Sequence, residues 1–246
     1  MGTTGIITIF GAAVAVVMAT CVYYASYVVR SQWLGPAIWR GRTDTGSVAM
    51  TFDDGPSADT AKLLDVLREH NIKATFFLIG EQVEKFPEIA RRIVADGHEI
   101  GNHSMSHKIL LYCSSRQTES EMDRAQAAIT SVTGVAPQLA RPPCGVRTRG
   151  YFKAAGRLGL TTVQWTVTGF DWKKRSPEQI ADTVARDAEP GSIVLLHDGD
   201  SAGQSSRQPT VDSIPLILDG LRKRDLTVVP LRQLLFQAES SKMDSN

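Results

Sequence analysis

The stretch that decides the fold runs from Ser47 to Pro56 and reads Ser-Val-Ala-Met-Thr-Phe-Asp-Asp-Gly-Pro. Ser47–Phe52 is a short, mostly apolar run that predicts a strand, and the Gly-Pro pair after it must turn the chain. Asp53 and Asp54 therefore stand between a predicted strand and a turn.

Downstream of this stretch, short apolar runs alternate with segments of helical periodicity. The predicted strands are Ser47–Phe52, Ala74–Leu78, Glu99–Gly101, Leu139–Arg141, Thr161–Trp165, Ser192–His197 and Thr227–Val229. The predicted helices are Ala58–His70, Phe86–Asp96, Glu119–Val132, Gly150–Leu158, Pro177–Ala188, Val211–Arg224 and Leu231–Phe236. Strands that alternate with helices are parallel and joined by crossovers, so about seven such units predict an α/β fold, a distorted and incomplete (β/α) barrel. We assign this domain to residues 44–236, followed by a polar tail at 237–246.

Upstream of the barrel, an uncharged run extends from Ile6 to Val29 and ends at Arg30. As a helix it would exceed the hydrocarbon core of a bilayer, which is about 30 Å thick. It is also longer than the apolar core of a cleaved signal peptide, and no basic residue precedes it. A buried core helix is the alternative, but the run has no polar face. We predict one transmembrane helix, with residues 1–43 forming a membrane anchor and linker and the membrane contacted through residues 6–29.

The overall composition is that of a globular protein, with 22% charged and 42% hydrophobic residues and a formal net charge of +1. General disorder is excluded, and without a basic excess we predict no nucleic-acid partner. No protein partner is predicted either. The three cysteines are too few for a disulfide framework and are not spaced as a zinc cluster. A bridge between Cys113 and Cys144 is left open.

Ionisable residues fall at the ends of the predicted strands, where (β/α) barrels carry their chemistry. They are Asp53 and Asp54, His103 and His107, Arg141, Asp171, and His197. Each has an ordinary explanation when taken alone, such as a turn or a surface ion pair. Five separate segments that all deliver such groups to one edge make a functional site the better interpretation.

These residue types favour metal-assisted hydrolysis of an amide or ester. His103 and His107, four apart in His-Ser-Met-Ser-His, make a two-His, one-Asp set with one carboxylate, which leaves coordination positions open for water. The side chains of Asp53 and Asp54 are expected to point different ways, so that one binds the ion and the other takes a proton from the bound water. His197 would protonate the leaving group.

Five ordered motifs resemble those of the polysaccharide deacetylases, the NodB-homology family, which is carbohydrate esterase family 4. They are Thr51-Phe52-Asp53-Asp54-Gly55-Pro56, His103-Ser104-Met105-Ser106-His107, Arg141-Pro142-Pro143-Cys144-Gly145, Asp171-Trp172 and Leu195-Leu196-His197-Asp198. The resemblance extends from about Ser47 to Leu235.

The resemblance implies a role for each residue in these motifs. Asp53 would be the catalytic base, and one divalent ion would be held by Asp54, His103 and His107. Zinc is the expected ion, with cobalt or another divalent ion as the alternative.

The remaining roles concern the partners of these groups and the pocket. Arg141 would hold Asp53, and Asp171 would set the protonation of the acid His197. The backbone N–H of Cys144 would stabilise the oxyanion. The pocket for the acetyl methyl would be walled by Trp172 and Leu195.

Two positions depart from the family pattern. The fourth motif usually begins with another Asp, whereas Thr168-Gly169-Phe170 precedes Asp171 here. Cys144 stands where relatives commonly carry an aromatic residue. The second departure puts the preferred substrate in doubt more than the reaction.

The function implied is removal of N-acetyl groups from N-acetylglucosamine-type sugars of a cell-envelope glycan, whether peptidoglycan, chitin-like or lipid-linked. The alternatives are an O-acetyl esterase acting on a decorated polysaccharide and, less favoured, a non-catalytic carbohydrate-binding protein on the same fold. Arg30, Arg40 and Arg42 follow the apolar run, which by the positive-inside rule would keep the body in the cytoplasm. Because the family acts on envelope polymers, we expect the catalytic domain outside the cytoplasmic membrane.

Overall fold

The strands form one parallel sheet that curls into a half-barrel. A computed structural model describes residues 3–236, so the tail predicted at 237–246 lies outside the described residues. The strands are β1 (Ser47–Asp53), β2 (Thr75–Leu78), β3 (Glu99–Asn102), β4 (Leu139–Ala140), β5 (Thr161–Thr162), β6 (Val167–Thr168), β7 (Ile193–His197) and β8 (Thr227–Val228). Seven follow one another in the order β5-β4-β3-β2-β1-β7-β6, and β8 pairs with the first residues of β1. The predicted incomplete (β/α) barrel is confirmed.

Helices cover the outer face of the sheet and connect its strands. They are α2 (Ala58–Glu69), α3 (Gly80–Lys85), α4 (Pro87–Ala95), α5 (Ser115–Thr133), α6 (Arg149–Arg157), α7 (Pro177–Asp187), α8 (Gln208–Arg222) and α9 (Leu231–Phe236). Two single 3₁₀ turns lie at Leu110–Tyr112 and Pro143–Gly145. The helix α5 begins earlier than predicted, because Ser114 and Gln117 form a capping box that satisfies its first free N–H groups.

The strand β1 is buried on both faces, which explains its apolar composition. Val48, Met50 and Phe52 point outward into the main core beneath the helices. Ala49 belongs to a second cluster inside the barrel. Since successive side chains of a strand alternate, Thr51 and Asp53 also face the interior, and Asp53 comes last, at the mouth.

The prediction of one strand over Thr161–Trp165 was wrong in its extent: β5 ends at Thr162, and a separate strand, β6, follows at Val167–Thr168. The strand β5 pairs with β4, whereas β6 pairs with β7 at the other edge of the sheet. Between them, Val163 forms a parallel bridge with Ile38, and the Gln164 N–H donates to the Ile38 carbonyl at 2.6 Å. Residues 161–168 therefore extend across the open side of the half-barrel and touch both of its edges.

The N-terminal helix α1 (Thr3–Tyr27) stands apart from this core. Its segment Phe10–Tyr27 is long and apolar enough to cross a membrane, and most of it is exposed. A signal sequence would satisfy the same criteria of length and composition. The boundary between anchor and barrel at residues 43 and 44 stays a prediction.

Candidate active site and metal site

The turn after β1 brings two carboxylates to one imidazole. Asp54 has a φ of 72°, a left-handed conformation that breaks the alternation of the strand. The Oδ2 atom of Asp53 lies 3.8 Å from the Nε2 atom of His103, and the Oδ1 atom of Asp54 lies 3.4 Å from it. Both carboxylates thus approach the same ring, although strand alternation alone would send them to opposite faces.

His103 and His107 meet Asp54 in a buried cluster. The Nε2 atom of His107 lies 3.1 Å from the Oδ1 atom of Asp54, and the two imidazole centroids are 5.0 Å apart. The Nδ1 atom of His103 is 2.7 Å from the carbonyl oxygen of Arg141. A carbonyl can only accept, so Nδ1 carries a proton, and in the neutral ring the Nε2 lone pair faces the carboxylates.

This cluster fits a divalent cation. Donor atoms of Asp54, His103 and His107 all lie within 4.8 Å of one another. The Oδ1 atom of Asp54 is buried, and no group in residues 3–236 donates a hydrogen bond to it. An ionised, unpaired oxygen facing nitrogen lone pairs is the arrangement that a cation stabilises.

Arg141 holds Asp53 from inside the barrel. Its side chain is fully buried, and Nη1 donates to Asp53 Oδ1 at 2.7 Å and to Thr51 Oγ1 at 2.8 Å. Its other guanidinium nitrogens donate to the carbonyls of Val163 and Gln164. Among residues 3–236, the carboxylate that this cation contacts is that of Asp53, and the ion pair orients it.

His197 lies at the end of β7, the neighbour of β1, in register with Asp53. Its Nδ1–H donates to Asp171 Oδ1 at 2.9 Å, and its backbone N–H donates to Asp171 Oδ2 at 2.7 Å. Burial alone would lower the pKa of His197, but Asp171 outweighs burial and raises it to about 9. The imidazole is therefore protonated at neutral pH and presents its Nε2–H to the pocket.

The remaining expected residues lie around the same mouth. The ring of Trp172 packs edge-on to His197 with centroids 5.3 Å apart, and it is partly exposed. Leu195 is buried two residues before His197 on the same face of β7. Cys144 is exposed in the turn that follows Arg141, and its thiol is free, as is that of Cys113. Partial burial and the carboxylates of Asp54 and Asp53 raise the pKa of the Cys144 thiol, so it stays neutral.

Sequence reasoning missed several residues that hold this site in place. The buried carboxylate of Glu121 accepts hydrogen bonds from the backbone N–H and the hydroxyl of Ser106, next to His107. Glu121 lies on the buried face of α5 together with Met122 and Ala125. A charged residue on an otherwise apolar helix face was the signal that could have revealed it.

Two further supporting contacts were not predicted, although Asp198 stands in the fifth motif. The Thr210 hydroxyl donates to Asp171 Oδ2 at 2.9 Å. Asp198 is fully buried against Gly55, where any Cβ would overlap its carboxylate, and burial raises its pKa to about 7. Both contacts join segments that are far apart in the chain.

The chain is similar to known deacetylases over most of its length. The family model for polysaccharide deacetylase matches residues 40–163. A chitooligosaccharide deacetylase from Bradyrhizobium sp. is 39% identical over 199 residues, which is 77% of this chain and 91% of that protein.

Two solved structures share the fold. The crystal structure of a peptidoglycan N-acetylglucosamine deacetylase is 36% identical with a TM-score of 0.76, over 81% of this chain and 92% of that one. A carbohydrate esterase family 4 pseudoenzyme from Bacillus anthracis is 28% identical with a TM-score of 0.74, over 82% of this chain and 69% of that one. The matched family model and the extent of these similarities lead to one conclusion: the chain belongs to the polysaccharide deacetylases of carbohydrate esterase family 4, which are hydrolytic enzymes.

Proposed function

We propose that this protein removes N-acetyl groups from N-acetylglucosamine-type sugars of a cell-envelope glycan and needs a divalent metal ion to do so. The observation that carries the proposal is the convergence of a candidate metal cluster, a carboxylate oriented by Arg141 and a protonated His197 at one mouth. The named activities of the relatives on chitooligosaccharide and peptidoglycan support the choice of sugar.

Asp54, His103 and His107 would hold the ion, and zinc suits this donor set best, with cobalt as an alternative. The ion would supply a Lewis acid that polarises the acetyl carbonyl and makes water easier to deprotonate. Asp53 takes the proton of the attacking water as the base. Arg141 keeps the Asp53 carboxylate aimed at the mouth during this transfer.

His197 completes the reaction as the acid. Breaking the C–N bond leaves an amine that must gain a proton, and His197 Nε2–H donates it while acetate leaves. Asp171 stabilises the imidazolium before the transfer. The backbone N–H of Cys144 would bind the oxyanion, and Trp172 with Leu195 would enclose the acetyl methyl.

The alternatives make different demands on these residues. An alkoxide leaving group needs an acid less than an amine does, so a histidine held protonated favours the amide over the O-acetyl ester. The fold also occurs in a pseudoenzyme. A non-catalytic binding protein has no use for Asp53, the ion ligands and His197 together, and this chain has them all.

We also propose that α1 anchors the protein in the cytoplasmic membrane with the barrel outside, where envelope glycans lie. Arg30, Arg40 and Arg42 on the flank of the helix argue for the opposite orientation.

Loss of one cluster histidine should weaken metal binding strongly. We expect His107→Gln to lower zinc affinity by more than the roughly 10–100-fold typical of outer-sphere changes, because a ligand itself is lost. Equilibrium dialysis of the detergent-purified chain measures this affinity. His70→Gln, at the exposed end of α2, is the matched control and should bind zinc like the wild type. Equal affinity in both variants would refute the cluster as the metal site.

Acetate release should require both the ion and Asp53. We expect N-acetylglucosamine oligomers to release acetate with zinc and not with a chelator. Asp53→Asn should lower kcat/KM by about 10²–10⁴-fold, since it removes a general base. Zinc binding by this variant is the control for folding. Release from acetylated xylan alone would move the assignment to an esterase.

The pH profile should report His197. The protonated form is the active one and the pKa is raised to about 9, so kcat/KM should hold through neutral pH and fall above about pH 9. Asp171→Asn removes the charge that raises this pKa, and burial then lowers it, so the falling limb should move by about two pH units to lower pH. An unchanged limb would mean that another group is the acid.

Membrane orientation can be read with a reporter. A phosphatase that is active only outside the cytoplasm, fused after Asn246, should be active in the full chain. Deleting residues 3–27 should abolish that activity while the fusion is still made. Activity of a cytoplasmic reporter alone at the same site would reverse the proposed orientation.

A further inference from the structure

The end of α1 is fixed to the barrel by a buried cation. Arg147 is 1% exposed, and its backbone N–H donates to the Ser26 carbonyl at 3.1 Å. Its guanidinium donates to the carbonyls of Val28, Val29 and Ser31. The last carbonyls of a helix have no partner within the helix and need donors from elsewhere. Here a residue of the barrel donates to the Ser26 carbonyl of α1 and to three carbonyls of the chain just after it, so it ties the helix end to the barrel.

The chain that follows α1 is also held along the barrel. A Cβ atom at Gly35 would lie 2.5 Å from the ring of Phe152, so the backbone there lies directly on α6. The Ile38 N–H donates to the Thr162 carbonyl at 2.9 Å, and the Gly41 N–H donates to the Gly191 carbonyl at 2.8 Å. A segment bonded at this spacing is no flexible tether. The direction in which α1 leaves the barrel is therefore fixed.

The fixed helix end lies beside the catalytic mouth. Arg147 follows Cys144 by three residues, so one short loop carries both the rim of the pocket and the bonds to α1. Leu110 and Cys113, on either side of Tyr112, pack in one apolar cluster with Phe152, the ring that lies against Gly35. Tyr112 itself lies in the 3₁₀ turn that comes shortly after His107.

The surface around this helix end is rich in exposed aromatic side chains. Tyr24 packs on Trp33 with ring centroids 5.0 Å apart, and Trp33 is largely exposed. On the barrel side, Tyr112 is 80% exposed and Ile109 in front of the same turn is 37% exposed. Tyrosine and tryptophan concentrate at the interface between lipid and water. The exposed aromatic surface at the end of α1 thus extends to the turn at Leu110–Tyr112, next to the pocket.

We propose that Ile109 and Tyr112 form a second contact with the lipid surface that α1 enters, and that the sugar deacetylated here is carried by a lipid of that surface. The proposal rests on the proposed reaction and on α1 as a membrane helix. A pocket held next to the headgroups reaches a sugar attached to a lipid, whereas the strands of a polymer wall lie farther from the bilayer.

The surface contact can be tested without any enzymatic activity. The full chain is reconstituted in phosphatidylethanolamine–phosphatidylglycerol vesicles with a photoreactive phenylalanine analogue in place of Tyr112. We expect lipid cross-links as strong as those from the same analogue at Trp33. The analogue at Leu216, which is similarly apolar and 43% exposed on α8, should give none. Labelling at position 112 no stronger than at position 216 overturns the surface contact.

The substrate class is tested in the same vesicles by a ratio. One acetylated chitobiose is offered either joined to a phospholipid headgroup or free in solution. We expect kcat/KM for the lipid-joined sugar to exceed that for the free sugar by about tenfold or more, because the membrane raises its effective concentration at the pocket. Combining Ile109→Ser with Tyr112→Ser should bring this ratio close to one and leave turnover of the free sugar unchanged.

The two ways to fail are distinguishable. Equal turnover of both sugars by the wild type, with labelling at position 112, overturns the lipid-carried substrate and favours a glycan polymer. No acetate from either sugar overturns the proposed deacetylation itself, while the labelling experiment still decides the contact with lipid.

Discussion

One ion pair, between Arg141 and Asp53, organises the interior of this half-barrel. A guanidinium without access to water is stable only when its donors are satisfied, and Arg141 finds them on β1 and on the segment after β5. The face of the Phe77 ring lies 4.2 Å from its central carbon and closes off water from below. The backbone carbonyl of Arg141 fixes the tautomer of His103. Removing one partner of such a buried pair typically destabilises a protein by about 3–5 kcal/mol, so folding and site geometry depend on the same contact.

The two halves of the mouth are built by different physical means. On the β1 side, carboxylates and imidazoles lie close together at a left-handed turn, an arrangement that a bound cation would stabilise. On the β7 side, the positive charge is already present on His197, held by Asp171 and, through it, by Thr210. The register between Asp53 and His197 places these opposite electrostatic environments next to each other, as the proposed base and acid roles require.

Local sequence patterns were sufficient to predict most of the fold and to select the residues that meet at the candidate site. Apolar runs ending in Asp or His marked β1 and β7, because the buried part of a parallel strand is mostly apolar and ionisable residues stand where it ends. The end of β5 at Thr162 was missed, since the next residue, Val163, bridges with Ile38, far away in the chain. The approach of Asp53 and Asp54 to one ring was missed for another reason: it depends on a single φ angle, which residue type does not determine. Glu121 and Thr210 act through distant partners and leave little or no local pattern.

The segment at 161–168 has a consequence for how this protein behaves in isolation. An open half-barrel has two edge strands whose free N–H and C=O groups can recruit strands from other molecules, the usual start of aggregation. Here both edge strands belong to the segment 161–168, and Ile38 pairs with the backbone between them and so covers it. A fragment cut at the apparent start of the catalytic domain, after residue 40, would lose this cover. Such a fragment would be poorly soluble because a sheet edge is bare, and not because a membrane is absent.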